Sequence, residues 1–154
     1  MDNLETHLIV SFHRNIWTCS WIEAGKAHGI TEAIDPAAGD DVPRQALYAA
    51  AEAIYFYIRI TGCRPASVEI RHASNHARIA CKPFMVAYKT RMPPASWTNN
   101  DRRAFDALGT FALSEDILPR EDAKKLLEVS KRAAAESAVY RLSGSVASLA
   151  LMAG

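Results

Sequence analysis

Cysteine is scarce in this chain of 154 residues, and disulfide bonds are not expected to hold its fold together. The three cysteines, Cys19, Cys63 and Cys81, are odd in number and form no Cys-x-x-Cys pair. This pattern favours reduced thiols in a cytosolic protein over a disulfide framework. We therefore expect a cytoplasmic protein that depends on a packed core, which a chain of this length can build.

Long hydrophobic runs are missing as well. Asp2 and Glu5 precede the first apolar run, and the basic region and hydrophobic stretch of a secretory signal are absent from the N-terminal residues. Residues 146–152 form the most apolar segment, whereas a bilayer span needs about 20 residues. We expect a soluble protein without a membrane partner.

Neither sign of charge dominates the sequence, because 18 Lys and Arg residues oppose 17 Asp and Glu residues for a formal net charge of +1. Any attraction for nucleic acid must therefore come from a local patch and not from the field of the whole molecule. Hydrophobic residues make up 49% and charged residues 23%, which is ordinary globular usage and argues against disorder. We expect one domain over residues 1–154, with a short apolar tail at 145–154.

The first third of the chain is rich in β-forming residues and predicts an antiparallel meander. The expected strands cover residues 7–12, 16–22 and 27–34, separated by turns around Asn15 and Gly25. Acidic and turn-forming residues then precede an alanine-rich segment, 43–60, which predicts a buried central helix. Residues 67–71 predict a fourth strand, which a right-handed crossover would pair in parallel with the first strand.

The rest of the chain predicts helices. One is expected from Asn75 to about residue 88, although Pro83 interrupts its pattern. Asn99 or Asn100 can cap another that reaches about residue 113, and Pro119 opens a last helix to about residue 142.

Two segments resemble a known family. Residues 46–54 read ALYAAAEAI and residues 68–74 read VEIRHAS. They are similar to the central helix and the following strand of the ribonuclease H-like superfamily. The resemblance implies a single α/β domain with a mixed sheet: three N-terminal antiparallel strands, a central helix, a parallel fourth strand and C-terminal helices.

The same resemblance implies that the catalytic carboxylates are replaced. Active members of the family gather carboxylates around two divalent ions, because magnesium needs oxygen ligands. The corresponding positions here are His13, Ala46, Ala73 and Glu128. One carboxylate and one imidazole do not meet the needs of two magnesium ions, so we expect no catalytic residues and no metal cofactor.

Three histidines raise the alternative of a transition-metal site. His13 and His72 are predicted at the ends of neighbouring parallel strands, with His76 four residues further on. Imidazole suits zinc or a similar transition ion. Alternation along the strand, however, directs His72 away from the face that Ala73 occupies. We favour surface or capping histidines over a metal site.

A basic segment is the predicted nucleic-acid interface. Cations outnumber acids between residues 82 and 103, and aromatic residues are interleaved with them. Bases neutralise phosphates and aromatic rings stack on nucleobases. The alternative is that the aromatics belong to the core and the bases solvate a helix. The predicted binding residues are Lys82, Lys89, Arg91, Trp97, Arg102 and Arg103.

Three functions follow in order of preference. The first is an inactive ribonuclease H-like module that acts as a nucleic-acid-associated accessory or regulatory protein. The second is a protein–protein adaptor or assembly subunit, with the apolar segment 147–153 docking on a partner or a second copy. The third is a divergent metal-dependent nuclease that uses His13.

Overall fold

One five-stranded sheet organises the part of the chain that the computed structural model describes, residues 5–109 and 111–135. The strand order is β3-β2-β1-β4-β5. Its first three strands form the predicted antiparallel meander, β1 (His7–His13), β2 (Ile16–Glu23) and β3 (Lys26–Ala33). Ala24 and Gly25 both have positive φ, which suits the tight turn between β2 and β3.

The central helix α1 (Val42–Thr61) forms as predicted and is buried along most of its length. It begins at Asp41, whose side chain accepts a hydrogen bond from the Arg44 amide, and it ends at Gly62 with φ 74°. The chain then enters β4 (Ser67–His72), which pairs in parallel with β1 from His7↔Ser67 to Val10↔Ile70. The predicted parallel pairing of the fourth strand with the first is therefore confirmed.

Between β4 and the last strand lie three short helices, α2 (Asn75–Ala80), α3 (Lys82–Thr90) and α4 (Asn99–Leu108). The single helix predicted from Asn75 is divided at Cys81, directly before the Lys82-Pro83 step. Thr98, and not Asn99 or Asn100, caps α4 through a reciprocal capping box with Asp101.

The prediction that α4 continues to residue 113 is wrong. The helix ends at Gly109, and the chain forms a fifth strand, β5 (Ala112–Ile117), which pairs in parallel with β4. Helix α5 (Arg120–Ala135) follows. The predicted extension of this helix to residue 142 and the tail at 145–154 lie outside the described residues.

The two faces of the sheet are covered differently. Leu8, Val10, Val68 and Ile70 are buried in the main core with α1, which gathers nearly all the large apolar side chains. Helix α5 packs on the opposite face of β1 and β2. Among the described helices, none is both long enough and apolar enough to span a bilayer.

Candidate functional site

The carboxyl ends of β1, β4 and β5 lie at one edge of the sheet, where α/β proteins commonly bind ligands. Continuing the β1–β4 register by three residues sets His13 beside Ala73. Two of the four positions that the sequence singled out therefore lie at the same end of neighbouring parallel strands. His13 is half-buried, and burial followed by the charge of Arg14 lowers its pKa, which favours the neutral imidazole.

The other two positions, Ala46 and Glu128, do not add accessible metal ligands beside His13 and Ala73. Ala46 is completely buried in the core on α1, so a side chain there faces apolar neighbours instead of water. Glu128 is exposed on α5. The α5 residue that contacts the end of β1 is Ser130, whose hydroxyl donates to the His13 carbonyl at 3.4 Å.

His72 ends β4 on the same face of the sheet as Val68 and Ile70, and its side chain is almost wholly buried, so the expectation of a surface or capping histidine is wrong at this position. Its Nε2 lies 3.3 Å from Oε1 of Glu115 on β5, and Arg78 Nε lies 3.6 Å from the same oxygen. Burial lowers the pKa of His72 more than Glu115 raises it, and Arg78 lowers it further, so the neutral imidazole is favoured. Sequence reasoning missed Glu115, because the preceding helix was predicted to reach about residue 113 and residues 114–118 were assigned to no strand or helix.

A metal site at the histidines finds no support in the geometry. His72 faces Glu115 inside the fold, while His76 is exposed on α2. Burial raises the pKa of the Cys81 thiol to about 12, which disfavours the thiolate that metals bind. Within residues 5–109 and 111–135, no group of three or more His, Cys, Asp or Glu side chains is placed to hold a metal ion.

In the predicted nucleic-acid interface the basic side chains are exposed, whereas the aromatic side chains are buried. All five of its basic side chains are exposed, and four of them lie within helices: Lys82 and Lys89 on α3, and Arg102 and Arg103 on α4. Arg91 is also exposed but already engaged, because its guanidinium lies 4.8 Å from the Tyr88 ring centre and donates to the Gly109 carbonyl.

The aromatic residues of this segment belong to the core. Trp97 is only 6% exposed and packs edge-on against Phe105, with ring centres 5.7 Å apart. Phe84 and Tyr88 are buried as well. The prediction that Trp97 stacks on nucleobases therefore needs correction, since its ring is covered by protein. The alternative assignment of these aromatics to the core is the one that the structure has.

Among the described residues, three carboxyl residues are buried, Asp35, Glu52 and Asp101, and the side chains of Glu52 and Asp101 lie along one side of α1. Glu52 accepts hydrogen bonds from Trp17 Nε1 and from the Asp35 amide, both at 3.0 Å. Burial nevertheless raises the pKa of Glu52 to about 8. Asp101 accepts from Tyr48 at 2.7 Å and pairs with Arg44 at 3.0 Å, and although burial opposes ionisation, these partners hold its pKa below the usual value. Every one of these contacts is internal, which indicates a structural role.

A shallow apolar groove, largely open to solvent, lies on the outer surface of α2 and α3, with a volume of about 570 Å³. It is a feature that the sequence did not reveal, because its apolar residues follow the same helical spacing as core residues. The groove is lined by Ile79, Lys82, Pro83, Val86, Ala87, Thr90, Met92 and Pro94.

Comparison with known proteins gives no further guide. Neither a scan against protein-family models nor a search of curated proteins finds a match to this sequence. Function is therefore inferred from the fold and from the side chains that it places at the surface.

Proposed function

We propose that this chain is a ribonuclease H-like domain without nuclease activity, which acts as a nucleic-acid-associated accessory or regulatory protein. The observation that carries the proposal is the sheet, ordered β3-β2-β1-β4-β5 with β1, β4 and β5 parallel and α1 crossing from the meander to β4. This arrangement agrees with what the resemblance of residues 46–54 and 68–74 implies. The free thiols of Cys19, Cys63 and Cys81 support a cytoplasmic location as part of the proposal.

The absence of nuclease activity is argued from the sheet edge. Hydrolysis of a phosphodiester by two metal ions needs anionic oxygen ligands on both ions. At that edge β1 ends at His13 and Ala73 directly follows β4, so these two positions supply no carboxylate, and Ala46 is enclosed by the core. The exposed carboxylate of Glu128 alone does not supply the charge that such a metal pair requires.

The exposed Lys and Arg side chains of α3 and α4 support nucleic-acid binding. Lys82, Lys89, Arg102 and Arg103 are free to reach phosphates, whereas the aromatic rings beneath them are covered. Contacts of this kind depend on counterion release and carry little sequence information. The proposed mode is therefore electrostatic contact of Lys and Arg side chains with the phosphate backbone, without stacking of aromatic rings on nucleobases.

Paired substitutions test this binding surface. We expect the double variant Arg102→Ala/Arg103→Ala to bind fluorescent single-stranded DNA about tenfold more weakly at low salt, with a log–log salt slope smaller by about 2. Lys131→Ala/Arg132→Ala on α5 is the matched control, because it removes the same charge from adjacent exposed positions. Equal loss of affinity in both double variants would attribute binding to net charge and reject the proposed surface.

A second candidate function, a protein–protein adaptor or assembly subunit, is favoured by the apolar groove. Ile79, Val86 and Met92 are large apolar side chains that are all exposed beside one another in its lining. Clusters of this kind mark contact sites more often than isolated surface residues do.

A further inference from the structure

The groove on α2 and α3 concentrates exposed apolar surface. Within the described residues, six large apolar side chains are exposed, and three of them line this groove: Ile79 at 62%, Val86 at 49% and Met92 at 72%. The other three, Ile22, Ile60 and Leu127, lie on β2, α1 and α5. Single exposed apolar residues need no explanation, but half of them in one groove indicates a surface that another molecule covers.

The rim of the groove is basic. Lys82 is the charged residue among the lining side chains, and no acid lines the groove. Lys89, one turn beyond Val86 on α3, is exposed, and the Arg78 side chain, next to Ile79, is 48% exposed although it also approaches Glu115. A partner with acidic side chains beside its apolar ones complements this rim.

The walls of the groove favour a helical partner over an extended one. Two helices and the 92–94 segment form the lining, and backbone groups inside helices are already hydrogen-bonded within the helix. An extended peptide gains affinity by adding main-chain hydrogen bonds to a free strand edge, which these walls do not offer. An amphipathic helix needs only an apolar trough, and its anchors recur at helical spacing.

We propose that the groove binds an acidic amphipathic helix of a partner protein, with apolar anchors over Ile79, Val86 and Met92 and carboxylates facing Lys82 and Lys89. This inference rests on the second candidate function, the adaptor, and names the chemistry of its partner. It shares Lys82 and Lys89 with the proposed nucleic-acid surface, whereas Arg102 and Arg103 lie outside the groove lining.

A library of displayed 16-residue peptides, selected against the full chain, provides the test. We expect the enriched peptides to carry apolar residues at helical spacing flanked by Asp or Glu. Synthetic copies should bind the wild-type chain at least tenfold more tightly than Val86→Asp or Met92→Ser variants, as measured by fluorescence anisotropy. Two variants are used because a misfolded one would be uninformative, and circular dichroism confirms the fold of each.

The matched controls remove exposed apolar side chains that lie outside the groove. Ile22→Ser and Ile60→Ser remove comparable side chains from β2 and α1 and should leave peptide affinity unchanged. Replacing each Asp or Glu of a selected peptide by Lys should weaken its binding at least tenfold, because the rim would then repel it.

Three other outcomes would contradict the acidic-helix proposal, and they differ in whether the adaptor function survives. Groove-binding peptides that lack acids would reject the acidic partner and leave the adaptor function standing. Peptides that bind all four variants equally would reject the groove, and with it the observation that favours an adaptor. Tighter peptide binding after Leu149→Asp/Leu151→Asp would overturn the proposal in another way, by identifying the chain's own apolar segment as the occupant.

Discussion

At the scale of single residues, Glu52 shows how burial and hydrogen bonding compete. Two donors, Trp17 Nε1 and the Asp35 amide, favour the carboxylate, yet the loss of water around the side chain outweighs them and raises the pKa to about 8. The folded protein therefore holds a proton on Glu52 at pH values where the unfolded chain, with an ordinary pKa near 4.5, has released it.

This shift predicts a pH-dependent stability. Between about pH 4.5 and 8 the folded state binds more protons at Glu52 than the unfolded state, so the free energy of unfolding should fall as pH rises through this window. The limiting slope for one proton is about 1.4 kcal/mol per pH unit. Asp35 contributes in the same direction, because burial raises its pKa too.

Glu52→Gln should flatten that dependence, because the amide does not ionise. Urea unfolding at several pH values between 5 and 8 measures the slope for each variant. Glu128→Gln is the control, since this exposed side chain should leave the wild-type slope unchanged. Identical slopes for wild type and Glu52→Gln would show that Glu52 ionises normally in the folded protein.

Trp97 illustrates a residue whose sequence context suggested one role and whose packing gives another. Bases surround it in the sequence, which made it a candidate for stacking on nucleobases. In the fold it joins Phe105 and Tyr88 in a chain of edge-on rings, with Tyr88 donating to the Phe111 carbonyl at 2.5 Å. Composition alone did not separate these roles, because aromatic residues are common in both settings.

Trp97→Leu distinguishes the two roles. Leucine removes the stacking face but keeps an apolar side chain in the core, so we expect a loss of stability of about 1–3 kcal/mol and no change in affinity for single-stranded DNA. Denaturant unfolding and fluorescence titration measure the two quantities on the same sample. A folded Trp97→Leu protein with clearly weaker DNA binding would restore the stacking role.

At the scale of elements, patterns were informative where local signals agreed with tertiary packing. The meander, α1 and β4 follow from β-rich runs, an alanine-rich segment and a terminating glycine, and all four strands and the helix form close to the predicted bounds. Helix α1 shows this agreement clearly, because Asp41 caps its start and Gly62 adopts the left-handed conformation at its end.

Strand β5 could not be predicted in the same way. Residues 112–117 read ALSEDI, with two acids and few β-branched residues, so their propensity for a strand is weak. The segment becomes a strand because it pairs with β4 over the full length of both, from Ser67↔Ala112 to His72↔Ile117. Pairing with β4 overrides the weak strand propensity of this segment. The His72–Glu115 contact depends on the same pairing, so it could not be predicted from the sequence either.

At the scale of the whole molecule, the mixed sheet was predictable because the sequence order of strands and helix leaves few topologies. A helix between the meander and the next strand favours a parallel return to the sheet, and the structure has the expected parallel β1–β4 pairing. The surface was less predictable. Which bases remain free and which apolar side chains form the groove depend on how α2, α3 and α4 pack, and a helical pattern in the sequence does not contain that information.

The formal net charge of +1 also constrains the proposed function at this scale. With no strong overall field, binding to a polynucleotide must depend on the local cluster of bases on α3 and α4 and should weaken steeply with salt. The same balance predicts that distant exposed bases, such as Lys131 and Arg132, contribute little.

The central claim is that the domain binds nucleic acid without cutting it, and one titration tests it most directly. A fluorescent RNA–DNA hybrid is added to the purified chain at low and moderate salt with magnesium or manganese, and the same samples are then run on a denaturing gel. The account predicts salt-sensitive binding with both strands intact. Cleaved strands would contradict the assignment of His13, Ala46 and Ala73 to the catalytic positions, and a complete lack of binding would contradict the proposed function.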